Sequence, residues 1–418
     1  MLIEIAVENY RSFRDRQVFS MVAAGRLRKR DNVFAPDVDG EKLPNLLKVA
    51  AIYGPNASGK SNFVKALNLV TVLASMKPGE EFPFKNPIAF RFDRHLSDKP
   101  SKFEIHFIAN RVRYQFNVAL DINRIHEERL IAYPKGKERL LYERSLDEAG
   151  NENYIFGESL EGGEEVNNVW KKLTGPRSLF ISQAVANSSD DLQQLKHPFS
   201  WLSSGLAIVQ SPSLMQNFAK ALQKVMAYSP EIMQEVVDFL KENDIPVSGI
   251  RFDETSFDGD ETSELKESDL YNEPKRKMIL SHETNLGKAD FYFSEESEGT
   301  RNLLGFWLPW MLKNKNDSTS CLVVDELDSS LHPHIVCKLV ASHISAKNNS
   351  AQLIFTTHDT HLMDSKLMRR DQFWITDRDS NGATVLFSVH DFEGRESEDI
   401  EKRYYEGRYK GLPIVKGV

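Results

Sequence analysis

The 418-residue chain is poor in cysteine, with only Cys321 and Cys337, and their spacing is not that of a metal site. Two cysteines provide no disulfide framework, so we expect a reducing, cytoplasmic location. No apolar run approaches the ~20 residues of a membrane span, and no membrane partner is expected. The formal net charge of −8 argues against a protein that coats DNA, although a local basic face stays open.

The most informative stretch that is present is a glycine-rich loop. The apolar run Val49–Tyr53 leads into G-x-x-x-x-G-K-S, and Phe63, Val64 and Leu67 follow at helical spacing. Strand, loop and helix form the context of a phosphate-binding loop, or P-loop. Its candidate nucleotide contacts are Gly54, Pro55, Asn56, Ala57, Ser58, Gly59, Lys60, Ser61 and Asn62. The alternative is a Gly/Ser turn before a surface helix.

The residue types of this loop fit polyphosphate chemistry. Glycines let backbone N–H groups close around an anion, and a helix N-terminus adds partial positive charge. We expect Lys60 to reach the β- and γ-phosphates of ATP and the Ser61 hydroxyl to hold Mg²⁺.

Two further apolar runs end in polar residues. Cys321–Val324 precedes Asp325 and Glu326, and a second run precedes Thr-Thr-His358. Ligands lie at the carboxyl ends of parallel strands, so these side chains are predicted at one edge of a sheet. Asp325 suits Mg²⁺, Glu326 suits the water that attacks the γ-phosphate, and His358 suits the γ-phosphate itself. The alternatives are an exposed acidic strand end and a capping histidine.

A weaker candidate is Gln183, which ends the apolar run of residues 177–183. We consider it for contacts with Mg²⁺ and water.

The periodicity of the sequence divides the chain into three parts. Alternation of apolar residues from about 90 to 156 predicts an antiparallel β-subdomain within residues 1–183. Residues 184–285 show mostly helical spacing, with a helix start at Ser229-Pro230 and an exposed acidic loop over 253–269. Residues 286–418 carry the two strand ends described above.

Four motifs together resemble those of ABC-type ATPases. GPNASGKS resembles the Walker A motif, SEGT the signature, VVDELDSSLHP the Walker B motif and D-loop, and FTTHD the switch histidine. NYRSF after the opening strand, and LHP after the D-loop, look like the RecF/SMC branch. The tail that begins DQFWITDRDSNG is similar to AAA-type ATPases of bacterial phage-defence loci, the AbiL/RloA-like group above all. The resemblance covers about the first 70 residues and everything after Phe291.

The resemblance implies an α/β fold: a P-loop NTPase of ABC/SMC type with an antiparallel β-subdomain and an inserted helical lobe. It also implies Mg²⁺-dependent ATP hydrolysis in a head-to-tail dimer, or a higher oligomer, with two ATP molecules between subunits. Ser297, Gly299 and Thr300 of one subunit would contact the γ-phosphate bound by Lys60 of the other. The chain departs from the common signature at Glu298, which stands where the first glycine is usual.

Two main functions are compatible with these motifs. The first is the sensor or regulatory ATPase of an antiphage, abortive-infection system that controls a separate effector such as a nuclease or toxin. The alternative is a RecF-like repair or recombination ATPase that binds DNA directly, with Arg26, Arg28, Lys29 and Arg30 contributing. Nucleic acid therefore stays open as a partner. A phosphotransferase is a weaker third reading, because no acceptor site is apparent.

Overall fold

The computed structural model describes residues 1–77, 80, 84, 86–147, 149–210, 212–253, 277–315, 320–346, 350–396 and 398–413. The chain divides into two compact units. The first comprises Met1–Ile208, Asp317–Asp325 and Val340–Val418, and the second comprises Val209–Asn316 and Glu326–Leu339.

A seven-stranded antiparallel sheet in the first unit confirms the predicted β-subdomain. Its strands are β1 (Leu2–Glu8), β2 (Gln17–Ser20), β6 (Ser101–Ala109), β7 (Val112–Leu120), β8 (Ile125–Tyr133), β9 (Arg139–Leu146) and β10 (Glu152–Phe156). They are ordered β10-β9-β8-β7-β6-β1-β2. Asn110 and Arg111 join β6 to β7 with φ of 45° and 62°, the backbone that a two-residue hairpin turn requires. A small pair, β3 (Val33–Phe34) and β4 (Leu46–Leu47), precedes the P-loop strand.

The second sheet of this unit carries the P-loop. Its strands are β5 (Val49–Tyr53), β11 (Leu206–Val209), β15 (Cys321–Val324), β16 (Gln352–Thr356), β17 (Phe373–Arg378) and β18 (Thr384–Ser388). The order is β11-β15-β16-β5-β17-β18, in which β15, β16, β5 and β17 run parallel and β18 is antiparallel to β17. All five residues of β5 are buried, which explains why that strand reads as an unbroken apolar run.

Helices of the first unit support both sheets. They are α1 (Lys60–Ser75), α2 (Arg94–Ser97), α3 (Gly163–Leu173), α4 (Phe180–Ala186), α5 (Lys196–Ser204) and α10 (Ile400–Tyr405). One apolar cluster includes Ile5 of β1, Phe63 of α1 and Ile354 of β16. The P-loop helix therefore shares a core with both sheets.

The second unit contains helices and a sheet of its own. The helices are α6 (Pro212–Met226), α7 (Pro230–Glu242) and α8 (Glu298–Lys315), and α9 (Pro333–Ser345) has residues in both units. The strands are β12 (Val247–Phe252), β13 (Met278–Thr284) and β14 (Gly287–Tyr292), which pair antiparallel. Ser229 caps α7 by accepting a bond from the Ile232 N–H at 3.4 Å, as the sequence predicted.

The two predicted boundaries of the chain can be placed on its secondary-structure elements. The boundary at 183/184 falls inside α4, and the boundary at 285/286 falls in the turn between β13 and β14. The insertion is not purely helical, because short strands on both sides of the acidic segment pair into a sheet. The acidic loop predicted over 253–269 lies, from residue 254 on, outside the described residues. Among the helices that the structure describes, none is long and apolar enough to cross a membrane.

Candidate nucleotide-binding site

The P-loop runs from the end of β5 to the start of α1 with a backbone that needs its glycines. Gly54 has φ of 146° and Gly59 has φ of 113°. A Cβ atom on Gly54 would collide with the Thr376 carbonyl and hydroxyl oxygens, and one on Gly59 would collide with the Thr384 hydroxyl. Both motif glycines are therefore required by conformation and by close packing against β17 and β18.

Hydroxyl groups hold the loop in this shape. Ser58 Oγ lies 2.5 Å from Thr376 Oγ1, which also donates to the Tyr53 carbonyl at 3.1 Å. Thr384 Oγ1 lies 2.8 Å from both Ser58 O and Ser12 Oγ. Thr376 and Thr384 were not predicted as site residues, because nothing in their local sequence shows that β17 and β18 adjoin the loop. Ser12 belongs to the NYRSF segment, to which no contact with the loop was assigned from the sequence.

Lys60 lies within the loop and is only 6% exposed. Its ammonium donates to the carbonyl oxygens of Gly54 at 2.8 Å and Pro55 at 3.3 Å. The P-loop lysine binds the β- and γ-phosphates of a nucleotide. We therefore expect the β- and γ-phosphates of a nucleotide near the start of the loop, at Gly54 and Pro55.

Asp325 lies where the sequence predicted, directly after β15. Its Oδ1 accepts a 2.6 Å hydrogen bond from the hydroxyl of Thr356, the last residue of β16. Because β15, β16 and β5 are parallel, this carboxylate and the P-loop follow strand ends at the same edge of the sheet. A carboxylate and the Ser61 hydroxyl are oxygen ligands of the type that Mg²⁺ takes from proteins when phosphates supply the rest. These residues fit a magnesium ion.

Glu326 begins a tight turn in the second unit. Its φ is 55° and that of Ser330 is 61°, both unusual for residues with side chains. The Ser329 N–H donates to the Glu326 carbonyl at 2.9 Å and closes the turn. Backbone of this kind is often kept where function needs it.

The signature segment forms the start of α8 in the same unit. Ser297 Oγ accepts a 3.1 Å hydrogen bond from the Thr300 N–H and so caps the helix. A Cβ on Gly299 would lie 2.7 Å from the Ser330 carbonyl oxygen. The glycine therefore permits the helix start to contact the turn that follows Glu326.

His358 is exposed and lines a cavity of about 500 Å³ in the first unit. Gly54, Pro55 and Asn56 form a second part of the cavity wall. Arg378 and Tyr405 of the C-terminal region form a third part. The histidine and the start of the P-loop therefore line one cavity.

The structure does not support Gln183 as a contact for Mg²⁺. Gln183 lies in α4 and is 4% exposed, and the hydroxyl of its neighbour Ser182 donates to the Ala74 carbonyl at 3.0 Å. Ala74 is near the C-terminal end of α1, roughly 20 Å along the helix from the P-loop at 1.5 Å per residue. The apolar run before Gln183 is part of a buried helix and does not lead to the nucleotide.

The sheet order, the P-loop and the strand-end carboxylate define a P-loop NTPase fold. The chain belongs to the family described as "AAA domain, putative AbiEii toxin, Type IV TA system", whose sequence model matches residues 49–165 and 178–364, well over half of the chain. The closer resemblance to the AbiL/RloA-like group stays a prediction.

Two solved structures are similar in fold. One is the SMC head domain from Thermotoga maritima, with 16% identity, a TM-score of 0.43, and coverage of 93% of this chain and 98% of that chain. The other is an SmcHead bound to the C-winged helix domain of ScpA, with 12% identity, a TM-score of 0.41, and coverage of 93% and 97%. No curated protein matches the sequence.

The threonine anchors of the loop can be tested through Thr384. We expect Thr384→Val to weaken nucleotide binding about tenfold, because Ser58 O loses its partner at a cost of about 1–3 kcal/mol. Titration with a fluorescent ATP analogue measures the effect. Thr384→Ser, which keeps the hydroxyl, is the matched control and should bind almost normally. Equal affinities of the valine and serine variants would contradict the anchoring role.

Proposed function

We propose that the chain is a Mg²⁺-dependent ATPase that regulates a separate effector in a bacterial antiphage system. The observation that carries the ATPase reaction is the placement of Lys60 and Asp325 at one edge of the parallel sheet, after β5 and β15. The defence role goes beyond this observation and is supported by the description of the family and by the resemblance of the tail to phage-defence ATPases.

Each residue has a defined task in the proposed reaction. Lys60 binds the β- and γ-phosphates, and Ser61 and Asp325 would hold Mg²⁺, which neutralises phosphate charge when bound. Glu326 orients the attacking water and accepts its proton. His358 would contact the γ-phosphate, which is supported by the cavity that it lines together with Gly54.

Glu326 and Lys60 can be separated experimentally. We expect Glu326→Gln to bind ATP normally and to lose hydrolysis by about 10²-fold or more, because glutamine cannot accept the proton. Lys60→Ala should lose binding as well, because the polyphosphate loses its buried cation. Phosphate release and equilibrium nucleotide binding measure the two effects. Near-normal turnover by Glu326→Gln would refute the role of Glu326.

We propose that two subunits share each ATP in a head-to-tail dimer. The proposal is supported by the start of α8. Ser297 is exposed there, and its hydroxyl caps the helix by accepting a hydrogen bond from the Thr300 N–H. The first backbone N–H groups of such a helix bind anions. In the dimer this helix start would approach the γ-phosphate held by Lys60 of the other subunit.

Subunit mixing tests this arrangement. Ser297→Asp keeps a good helix cap but adds negative charge next to phosphate, so it should abolish hydrolysis in the homodimer. Mixed with Lys60→Ala subunits, it should regain activity, because each heterodimer holds one site without either substitution. Ser297→Asn is the control, since it caps equally well without charge. A substitution at Gly299 is less suited to this test, because any side chain there would collide with the Ser330 carbonyl oxygen. Demonstrated heterodimers without activity would refute shared sites.

The link to a toxin–antitoxin or defence system is supported by the description of the family, which names a putative toxin of a Type IV system. The resemblance of the tail to phage-defence ATPases supports it as well. In this role, ATP-driven dimerisation would hold or release a nuclease or toxin.

The effector proposal is tested by purifying the chain alone and together with the product of the adjacent gene. We expect cleavage of plasmid, RNA or tRNA with ATP and Mg²⁺ only when the second protein is present. Lys60→Ala is the control for ATP dependence. Robust cleavage by the isolated chain, lost in Lys60→Ala, would overturn the partner role.

The same preparations test the RecF-like alternative. Arg26, Arg28 and Arg30 are exposed, whereas Lys29 Nζ donates to the Lys366 carbonyl. ATP-dependent DNA binding by the isolated chain that weakens with salt and is lost on replacement of the three arginines would favour this alternative.

A further inference from the structure

The last strand of the parallel set, β17, ends next to the P-loop. Ile375 of β17 is in register with Tyr53, the last residue of β5. The chain then continues through Thr376, which contacts Gly54, to Arg378 at the end of the strand. Arg378 lines the same cavity as Gly54, Asn56 and His358.

Two neighbouring residues of β17 bring opposite charges to the wall of this cavity. Among the described residues that line it, Arg378 is the one permanent cation and Asp377 the one carboxylate. Asp377 is engaged by backbone, since its oxygens accept from the Arg378 N–H at 2.8 Å and the Gly411 N–H at 3.3 Å. The Arg378 side chain is exposed and forms no ion pair with any residue of the described ranges.

The segment that follows α10 packs against the end of β17. Gly411 has φ of 68°, and a Cβ there would collide with Ile375. The Tyr404 hydroxyl donates to the Gly411 carbonyl at 2.6 Å. The segment that follows α10 therefore holds the backbone that carries Arg378, and Arg378 is one of the residues that line the cavity.

We propose that Arg378 contacts the γ-phosphate of ATP held by the P-loop of its own subunit and stabilises the charge that develops during hydrolysis. The inference rests on the proposed ATPase function. The position of the Lys60 ammonium at Gly54 and Pro55 marks this end of the loop as the γ-phosphate end. A planar guanidinium binds phosphate oxygens through paired N–H donors.

The reaction balances without proton transfer by Arg378. A water oxygen forms the new bond to the γ-phosphorus, the bond between this phosphorus and the bridging oxygen of ADP breaks, and the water proton goes to Glu326. Arg378 donates hydrogen bonds to the γ-phosphate oxygens throughout. An arginine in this role raises the hydrolysis rate by about 10³-fold or more.

A comparison of two nucleotides tests the contact. For Arg378→Ala we expect at least tenfold weaker binding of a non-hydrolysable ATP analogue, unchanged binding of ADP, and hydrolysis lowered about 10³-fold. Arg378→Lys, which keeps the charge but not the paired donors, should be intermediate. Arg408→Ala is the matched control, because Arg408 is an exposed arginine of the same C-terminal region that is not among the cavity-lining residues.

The outcomes separate this inference from the proposed function. Equal weakening of the ATP analogue and ADP, or no change in either, would overturn the γ-phosphate contact while leaving the ATPase in place. A wild-type chain that binds neither nucleotide would overturn the ATPase function and this inference with it. Thermal unfolding of each variant verifies that Arg378→Ala folds normally, as expected for an exposed side chain.

Discussion

The close approach of the P-loop to β17 and β18 is the contact on which the site depends. Gly54 and Gly59 lie where no side chain fits, against Thr376 and Thr384. The hydroxyls of these threonines donate to the carbonyl oxygens of Tyr53 and Ser58 and so fix the conformation of the loop. The conformation of a loop that begins at residue 54 therefore depends on strands more than 300 residues later in the chain. Without these contacts, the glycines would sample many backbone conformations.

Buried amide side chains connect the neighbouring strands by hydrogen bonds. Gln352 of β16 accepts from the Leu2 N–H at 2.7 Å and donates to the Leu2 carbonyl at 2.9 Å, so it pairs with β1 as a strand backbone would. Gln372 donates to the Val49 carbonyl at 2.8 Å. A buried amide left without partners would be costly, so these bonds favour one placement of the antiparallel sheet and β5.

The sequence predicted those parts of the fold and site that depend on local pattern. The P-loop, the strand before Asp325 and the β6–β7 hairpin each have a motif or period of their own. Gln183 failed because a short apolar run does not distinguish a buried helix from a strand. Thr376 and Thr384 could not be found, since their role depends on which distant strands lie beside β5. The sheet of the second unit was missed because its strands are separated by the acidic segment.

The unusual signature sequence is explained by the packing of α8. A pair of glycines is usual in ABC-type signatures, whereas this segment has one, Gly299. A Cβ atom on Gly299 would collide with the Ser330 carbonyl oxygen. Glu298 is the first helical residue and is exposed, and an acidic residue in the first turn interacts favourably with the helix dipole. Ser297 occupies the cap, and its hydroxyl takes the Thr300 N–H. The segment thus keeps the one glycine that packing requires, and replaces the other with a residue that stabilises the helix start.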